Sequence, residues 1–200
     1  DSRFILVATP SGISLSPEGG AHQSIGTPLI GISKPGLSAF EPAYADELAA
    51  ILRWSFVHIQ DEDTDESNHD LLNDKRGGSV YLRLTTRRVP QLQRQIDSDI
   101  ETKIIDGGYW LRPPAPGARL SIAYVGAVGP EALSAHMAII NRFPGAGLLA
   151  VTSPDRLHRG WLAAQRQRQT TPNGPESAIE RLLAPLETSS QIVTVVDGHP

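Results

Sequence analysis

The sequence predicts an α/β protein with mostly parallel sheets. Short apolar runs typical of buried strands recur along the chain, at residues 4–8, 80–84, 120–125, 148–151 and 192–196. Segments with apolar residues at helical spacing separate several of these runs. Strands that alternate with helices favour a parallel arrangement, because each connection between parallel strands has to cross back over the sheet.

Local signals support the first strand and the first long helix. Residues 4–8 are continuously apolar, which predicts a strand buried on both faces. Between Ala43 and Gln60 apolar side chains recur at helical spacing, which predicts an amphipathic helix. Pro42 suits the first turn of this helix, and Asp46 lies near the positive end of its dipole.

Residues 60–76 form an acidic stretch with few apolar side chains. Its carboxylates are Asp61, Glu62, Asp63, Asp65, Glu66, Asp70 and Asp74. A cation site is one interpretation, but closely spaced carboxylates repel one another unless a cation lies between them. A solvated loop is therefore the favoured interpretation.

A second α/β unit begins near residue 120. Gly129-Pro130-Glu131 opens a helix after one strand, and Ser153 with Pro154 suits the N-cap and first position of another, which continues to about Arg168. The apolar residues expected to be buried in this unit's helices are Leu133, Met137, Ile140, Ile179, Leu182, Leu183 and Leu186. The predicted domains are residues 1–88 and 119–200, joined by an ordered linker, 89–118.

The composition excludes several classes of protein. The formal net charge is −4, from 18 basic and 22 acidic residues, so no polybasic surface for nucleic acid or an anionic membrane is indicated. Cysteine is absent, which excludes disulfides, zinc–thiolate sites and thiol catalysis. No run approaches the roughly 18 apolar residues of a membrane span, and the first residues lack a signal-peptide pattern. We therefore expect a soluble, cytoplasmic protein.

The stretch Ser16–Gly31 carries the strongest chemical signal. Glu18 and His22 are four residues apart, with Gly19 and Gly20 between them. Each glycine costs a helix interior roughly 0.8–1 kcal/mol relative to alanine, so a loop is the better prediction. Such a loop can aim an acid and an imidazole at a common point. From spacing alone, a surface turn with an ordinary exposed histidine is the favoured explanation.

A family resemblance changes that balance. Residues 5–9 and 17–23 resemble the pyrimidine-binding domain of thiamine-diphosphate enzymes of the transketolase superfamily. One motif resembles the homodimeric pyruvate dehydrogenase E1 family more closely than transketolases: Pro-Glu-Gly-Gly-Ala-His-Gln-Ser-Ile-Gly-Thr-Pro-Leu-Ile-Gly. Further segments resemble the same family at residues 39–43, 78–87, 107–113, 151–155 and 196–200. Matches spread over the whole chain make the resemblance specific.

The resemblance implies both a fold and site residues. The fold would be the end of a pyrimidine-binding domain followed by much of a transketolase-type C-terminal domain. In the family, the histidine that matches His22 contacts substrate and intermediate, and the acid that matches Glu18 lies in the same active centre. We therefore predict His22 and Glu18 as catalytic residues, and His22 and Gln23 as substrate-binding residues. No residue of this chain is predicted to bind a metal, and none is assigned with certainty to the cofactor.

Two departures from transketolases favour a small unphosphorylated 2-oxo acid as substrate. Pro10 occupies the place of a transketolase histidine that helps to hold the sugar phosphate. Thr86 occupies the place of an arginine used after the strand, although Arg87 is adjacent and a one-residue shift would restore it. Pyruvate is therefore the expected substrate.

Few other residues indicate chemistry. The nucleophile elbow, phosphate loop, dinucleotide fingerprint and His-Glu-x-x-His pair are all missing from the sequence. The other internal histidines are better explained as structural or solvated: His58 on the polar side of its helix, His69, His136 and His158. Asp197 follows a predicted strand, where sites in α/β proteins gather, and His199 lies beside the chain end. The sequence leaves the roles of Asp197 and His199 open.

The leading hypothesis is a part of a pyruvate dehydrogenase E1 component. It would decarboxylate pyruvate and pass the acetyl unit to a lipoyl group on a dihydrolipoyl acetyltransferase partner, working as a homodimer. The chain begins at Asp1 and the family's polypeptide is several times longer, so we expect an internal fragment that is inactive alone. The family's catalytic glutamate and metal–diphosphate motif lie upstream, so regions outside this chain are expected to hold most of the thiamine diphosphate and magnesium.

Two alternatives remain open at this point. One is a transketolase-like ketol transferase, and the other is a non-catalytic dimerisation or regulatory module with the same fold.

Overall fold

Two sheets carry the chain in the computed structural model, which describes residues 2–9, 12, 26–34, 36–62, 71–72, 74, 77–171 and 173–198. The predicted site residues Glu18, His22 and Gln23, together with Pro10, His69, His199 and most of the acidic stretch, lie outside the described residues. The strands are β1 (Ile5–Ala8), β2 (Leu37–Phe40), β3 (Ser79–Arg83), β4 (Gly108–Arg112), β5 (Leu120–Val125), β6 (Gly147–Val151) and β7 (Gln191–Val195). The helices are α1 (Thr27–Ile32), α2 (Ala45–His58), α3 (Ser98–Asp106), α4 (Gly129–Ile139), α5 (Pro154–Thr170) and α6 (Ala178–Leu183).

The first sheet has the order β1-β3-β2, and both strand pairs are parallel. The predicted first strand is confirmed, but burial of both its faces is not. Leu6 and Val7 on β1 are 44% and 50% exposed. The reason is that α1 packs over β2 and β3, which leaves β1 at the less covered edge of the sheet.

The second sheet has the order β4-β6-β5-β7. Strand β5 is parallel to both β6 and β7, whereas β4 is antiparallel to β6. Among the described residues there are five strand pairings, and only one of them is antiparallel. This confirms the prediction of an α/β fold with mostly parallel sheets.

The predicted linker 89–118 contains regular structure. Helix α3 and strand β4 both lie inside it, and Trp110 Nε1 donates a hydrogen bond to the Leu182 carbonyl at 2.8 Å. Gly107 joins α3 directly to β4 with a φ of 119°, a backbone conformation that glycine adopts without a Cβ penalty. The last part of this segment thus belongs to the second sheet, while the domain boundaries themselves stay a prediction.

One continuous apolar core joins the two sheets. Phe40, Val80 and Leu82 from the first sheet pack in the same cluster as Tyr124 and Leu148 from the second, and each is at most 1% exposed. Side chains of a strand alternate between its two faces, so the residues between these on β3 point away from the shared core. The position of β3 therefore links the shared core to the outer face on which α1 packs.

Helix α2 confirms the predicted amphipathic helix, with a correction at its start. Tyr44 is the N-cap, so Pro42 precedes the first turn instead of lying within it. The Glu47 carboxylate accepts hydrogen bonds from the backbone N–H groups of Ala43 and Tyr44, at 2.7 and 3.1 Å. Glu47 thereby satisfies backbone donors that a helix start leaves without partners.

Helix α4 begins at the predicted glycine, but its buried face differs from the prediction. Ala132 and His136 are buried, whereas Met137, predicted as a core residue, is 60% exposed. His136 Nε2 lies 2.8 Å from the Ala146 carbonyl oxygen. An imidazole with a hydrogen-bond partner can occupy an interior position, and apolar periodicity does not reveal this.

Helix α5 confirms the predicted cap. Ser153 Oγ accepts a hydrogen bond from the Arg156 N–H at 3.1 Å, and Pro154 occupies the first helical position. The same hydroxyl donates to the Ala39 carbonyl on β2, so the cap also joins the two sheets. Among the described helices, none is long and apolar enough to cross a membrane.

Candidate functional site

The carboxyl ends of strands from both sheets meet at one place. Arg83 is the last residue of β3, Glu41 follows β2 and Asp197 follows β7. Arg83 Nη1 donates to Glu41 Oε2 at 2.8 Å, and Arg83 Nη2 donates to Asp197 Oδ2 at 3.4 Å. The side chains of Arg83, Glu41 and Asp197 are only 2%, 11% and 10% exposed. These three residues form the strand-end cluster, at the edge where ligand sites of α/β sheets gather.

The strand-end cluster also holds the start of α1. Tyr81 and Arg83 are two residues apart on β3, so their side chains lie on the same face. Tyr81 Oη donates to the Thr27 carbonyl at 3.3 Å, and Arg83 Nε donates to Thr27 Oγ1 at 3.2 Å. Thr27 is the first residue of α1 and closely follows His22 in the sequence. The described structure therefore fixes the chain just after the predicted substrate-binding residues.

Backbone geometry on both sheets sets the position of Glu41. Its N–H donates to the Thr152 carbonyl, after β6, at 2.8 Å. Gly126, after β5, lies against Glu41 with a φ of +62°. A Cβ at Gly126 would lie 3.3 Å from Glu41 Cβ, so both the conformation and the close approach favour glycine there.

The charges within the strand-end cluster do not balance. One guanidinium serves two carboxylates, so the cluster carries a net negative charge when all three groups are ionised. Burial raises the pKa of Glu41, Arg83 opposes this effect, and the charge of Asp197 raises the pKa further. Arg83 is buried, and each of its three guanidinium nitrogens has a hydrogen-bond partner.

Arg87 is bound by the second unit. Both of its Nη atoms donate to the Glu131 carboxylate on α4, and one of them also donates to the Ala127 carbonyl. Hydrogen bonding from Arg87 lowers the pKa of Glu131. Thr86 is exposed and carries no charge. In this structure the Arg87 guanidinium is therefore held in an ion pair with Glu131. A phosphate could bind Arg87 only if these contacts broke.

Glu47 is a second buried carboxylate, and its contacts hold the structure together. In addition to capping α2, it accepts a hydrogen bond from Tyr109 Oη and lies 3.4 Å from Arg94 Nη2. Arg94 also binds Asp46 through two nitrogens, at 2.7 and 3.1 Å. Burial raises the pKa of Glu47. Because the neighbouring donors occupy both carboxylate oxygens, Glu47 serves to join α2 to β4.

The described part of the acidic stretch contains an ion pair. Asp74 binds the fully buried Arg156 on α5 through both carboxylate oxygens. The Arg156 guanidinium also lies over the Trp54 ring, 4.7 Å from its centroid. Within the described residues, no group of three or more histidine, cysteine, aspartate or glutamate side chains is placed to hold a metal ion.

The described histidines outside the predicted site have structural or surface positions. His58 was predicted on the polar side of its helix, but it is 6% exposed. Its Nδ1 lies 2.9 Å from the Asp74 carbonyl oxygen, and its ring stacks on Trp54 at 4.2 Å. His158 is exposed and lies beside Trp161. Tertiary contacts from a distant segment turned the polar side of α2 into an interior surface at His58.

The sequence analysis missed Glu41 and Arg83 as members of a site. Both lie in segments that carry the family resemblance. Arg83 ends β3 and Glu41 directly follows β2, and this position at a strand end is a signal that could have identified them. Asp197 was noted for its position after a strand, and the structure places it in the cluster. The structure does not test Glu18, His22 or Gln23, and their roles stay a prediction.

An apolar groove of about 520 Å³ lies elsewhere, between α5, α6 and the second sheet. The side chains lining it include Leu157, Trp161, Ile179, Leu183 and Val196. His158, Glu180 and Thr194 are the polar members of the lining, but most of its side chains are apolar, whereas a diphosphate or a 2-oxo acid requires several convergent donors. The strand-end cluster is therefore the better candidate site.

Comparisons with known proteins give similarities to the sequence and to the fold. No protein-family model matches the sequence. The chain is 25% identical over 198 residues to the pyruvate dehydrogenase E1 component of Mycolicibacterium smegmatis, covering 97% of this chain and 20% of that protein. Transketolase from Campylobacter jejuni matches with a TM-score of 0.66 at 15% identity, over 98% of this chain and 24% of that chain. A transketolase variant from Pichia stipitis matches with a TM-score of 0.62 at 21% identity, over 95% and 22%.

These likenesses cover nearly the whole of this chain but a small part of each relative. The chain spans about a fifth of the length of the curated relative. The solved structures show that it has a transketolase-like fold. Together with the sequence similarity, they confirm the predicted resemblance to a pyruvate dehydrogenase E1 component and to transketolases.

Proposed function

We propose that this chain, as a segment of a thiamine-diphosphate enzyme of the transketolase superfamily, contributes the substrate side of the active centre in a pyruvate dehydrogenase E1 component. The enzyme would decarboxylate pyruvate oxidatively and transfer the acetyl unit to a lipoyl group. The observation that carries this proposal is the similarity to a pyruvate dehydrogenase E1 component over 97% of the chain. The sequence motif in Ser16–Gly31 supports the same family.

His22 is the proposed catalytic and substrate-binding residue. A 2-oxo acid presents a carbonyl oxygen and a carboxylate, and both need positioned donors while charge develops during the reaction. An imidazole has an unperturbed pKa of about 6.5, so it can donate a hydrogen bond or move a proton near neutral pH. Glu18 would orient the imidazole and favour its charged form, and Gln23 would add a donor to the substrate.

An unphosphorylated substrate is supported by the ion pair of Arg87. Its guanidinium is held by Glu131 and the Ala127 carbonyl, so binding a phosphate there would require these contacts to break. Thr86, the position aligned with the transketolase arginine, offers no positive charge. Pyruvate therefore remains the proposed substrate.

The described residues do not by themselves form a site for the cofactor's diphosphate. Arg83, at the end of β3, and Arg87, four residues after it, are bound to carboxylates, and among the described residues no group of three or more histidine, cysteine, aspartate or glutamate side chains is placed to hold a metal ion. We therefore propose that thiamine diphosphate and magnesium are held largely by polypeptide outside this chain. The chain alone is accordingly proposed to be inactive.

The proposal extends to partners and location. Transfer of an acetyl unit requires a lipoyl-bearing dihydrolipoyl acetyltransferase, and a homodimer is proposed for the E1 component itself. A cytoplasmic location is part of the same proposal. A non-catalytic dimerisation or regulatory module of the same fold could have the same contacts between residues, but it would not turn over pyruvate.

The second candidate function is ketol transfer, which the transketolase-like fold favours. The test compares two assays on the natural polypeptide that contains this chain, with thiamine diphosphate and magnesium supplied. Pyruvate-dependent acetylation of a lipoyl domain is expected, with little ketol transfer from a ketose phosphate. Ketol transfer without pyruvate turnover would overturn the proposal in favour of the second candidate, and neither activity would favour the non-catalytic module.

A further inference from the structure

We propose that Arg83 is a positioning residue for the active centre: it holds the start of α1 through Thr27 and is itself held by Glu41 and Asp197. This inference rests on the proposed function, because the substrate-binding residues it would position lie just before α1. It extends that function by assigning a role to three residues outside the family motif around His22.

Arg83 donates hydrogen bonds to partners on three sides. Its Nε donates to Thr27 Oγ1 at 3.2 Å, its Nη1 to Glu41 at 2.8 Å and its Nη2 to Asp197 at 3.4 Å. A guanidinium is planar and its donors point in fixed directions, so partners on three sides fix its orientation. Thr27 is thus held relative to the carboxyl ends of β2, β3 and β7.

The chain between His22 and Thr27 is short. His22 precedes Thr27 by five positions in the sequence. A fully extended chain covers at most about 3.3–3.6 Å per residue, so the two residues are no more than about 18 Å apart. Thr27 is therefore the described anchor nearest in sequence to the proposed substrate-binding residues. Misplacement of a catalytic group by about 1 Å can reduce a rate about 100-fold.

Asp197 connects Arg83 to the second sheet. It follows β7, whose partner in the second sheet is β5. Through Arg83, the position of β7 is coupled to α1 on the outer face of the first sheet. The packing of the second sheet would in this way contribute to the alignment of substrate-binding residues supplied by the first.

Arg94 provides a matched control within the same chain. Like Arg83, it is an arginine with restricted exposure that binds two carboxylates, here Asp46 and Glu47, and joins the two units. Its partners are on α2 and β4, and it has no hydrogen bond to α1. Replacing Arg94 should therefore destabilise the protein without displacing Thr27.

The experiment compares Arg83→Met with Arg94→Met in the natural polypeptide. We expect Arg83→Met to lower kcat/KM for pyruvate about 10- to 100-fold, and Arg94→Met to lower it less than about threefold. Arg83→Lys should restore little, because a point charge cannot bind three partners at once. The concentration of thiamine diphosphate that gives half-maximal activity should stay within about threefold of wild type in both variants.

A second measurement does not depend on catalysis. Amide hydrogen exchange in α1, relative to exchange in α3, should accelerate at least about tenfold in Arg83→Met and stay unchanged in Arg94→Met. If Arg83→Met fails to fold, Thr27→Val and Tyr81→Phe remove the contacts to α1 one at a time while leaving the ion pairs intact. Their expected effects have the same direction and are smaller.

The outcomes separate the two proposals. Absence of pyruvate turnover in the wild-type polypeptide would overturn the proposed function, while the exchange measurement would still test the link from Arg83 to α1. Wild-type turnover in Arg83→Met, or in both milder variants if it does not fold, would overturn the positioning role. Equal acceleration of exchange in α1 and α3 would do the same, since it would show a global loss of stability.

Discussion

Glu41 and Glu180 have pKa values shifted in opposite directions by their surroundings. Burial raises the pKa of Glu41 above its ordinary value of 4.5. Hydrogen bonds from Arg168 and Ser177 lower the pKa of Glu180 to about 2. A raised pKa means that the native state binds the proton more tightly than the unfolded chain does. The contribution of Glu41 to stability is therefore present below pH 4.5 and is lost as the pH rises through its folded-state pKa.

The contribution of Glu180 has the opposite sign, because it is present above pH 4.5 and is lost as the pH falls towards about 2. The measurement is the free energy of unfolding of the wild type minus that of Glu41→Gln, and minus that of Glu180→Gln, as a function of pH. The first difference should fall with rising pH and the second should rise. Differences that change in the same direction would contradict the assigned causes.

His22 provides the sharpest prediction at the scale of a single residue. If its imidazole acts on the substrate, His22→Ala in the natural polypeptide should reduce pyruvate turnover by about 10²–10⁴-fold while leaving folding nearly unchanged. An exposed loop histidine would instead shift stability by about 0.5 kcal/mol and leave turnover alone. The measurement is steady-state turnover with saturating thiamine diphosphate.

Glu18→Gln is the companion variant, and its effect should be milder because Glu18 is proposed only to orient the imidazole. A loss of less than about threefold in His22→Ala would remove His22 from the active centre.

At the scale of the element, the start of α5 depends on a residue with two tasks. Ser153 caps the helix and donates to the Ala39 carbonyl, and it is fully buried. Ser153→Ala should cost about 2–3 kcal/mol, because a lost cap adds to an unsatisfied buried carbonyl. Asp97 caps α3 in an exposed position, and Asp97→Ala should cost about 1 kcal/mol.

Chemical denaturation of the two variants gives the comparison. The prediction for α5 requires Ser153→Ala to be the more destabilised of the pair. Equal losses would mean that the bond to Ala39 contributes nothing beyond the cap.

At the scale of the whole molecule, the distribution of sites between this chain and other polypeptide is testable. We expect the chain alone to bind neither thiamine diphosphate nor magnesium tightly, since Arg83 at the end of β3 and Arg87 shortly after it are both ion-paired. Calorimetric titration of the isolated chain with the cofactor is the measurement. Micromolar, magnesium-dependent binding would contradict the proposal that other regions hold the diphosphate.

Limited proteolysis addresses the predicted organisation of the chain. The first cuts are expected within residues 60–76, because that stretch is rich in charge and poor in apolar side chains. The next are expected within residues 89–97, which precede α3 and have no regular structure. Strand β4 should resist cleavage, since it is paired with β6. Early cleavage inside β4 would contradict its place in the second sheet.

Local sequence alone determined most of the elements of this protein and the family it resembles. The helix starts at Gly129 and Pro154 follow from proline and capping residues, which act within a few residues of one another. The motif around His22 is also local, so it could be recognised without coordinates.

Tertiary structure alone decided which charged groups meet. Glu41, Arg83 and Asp197 are far apart in the sequence, and only the parallel arrangement of strands brings their ends together. It likewise buried His58 and exposed Met137, against the apolar pattern. The physical reason is the same in each case: desolvation and hydrogen bonding depend on partners from distant segments, and no local pattern records which partners the fold will supply.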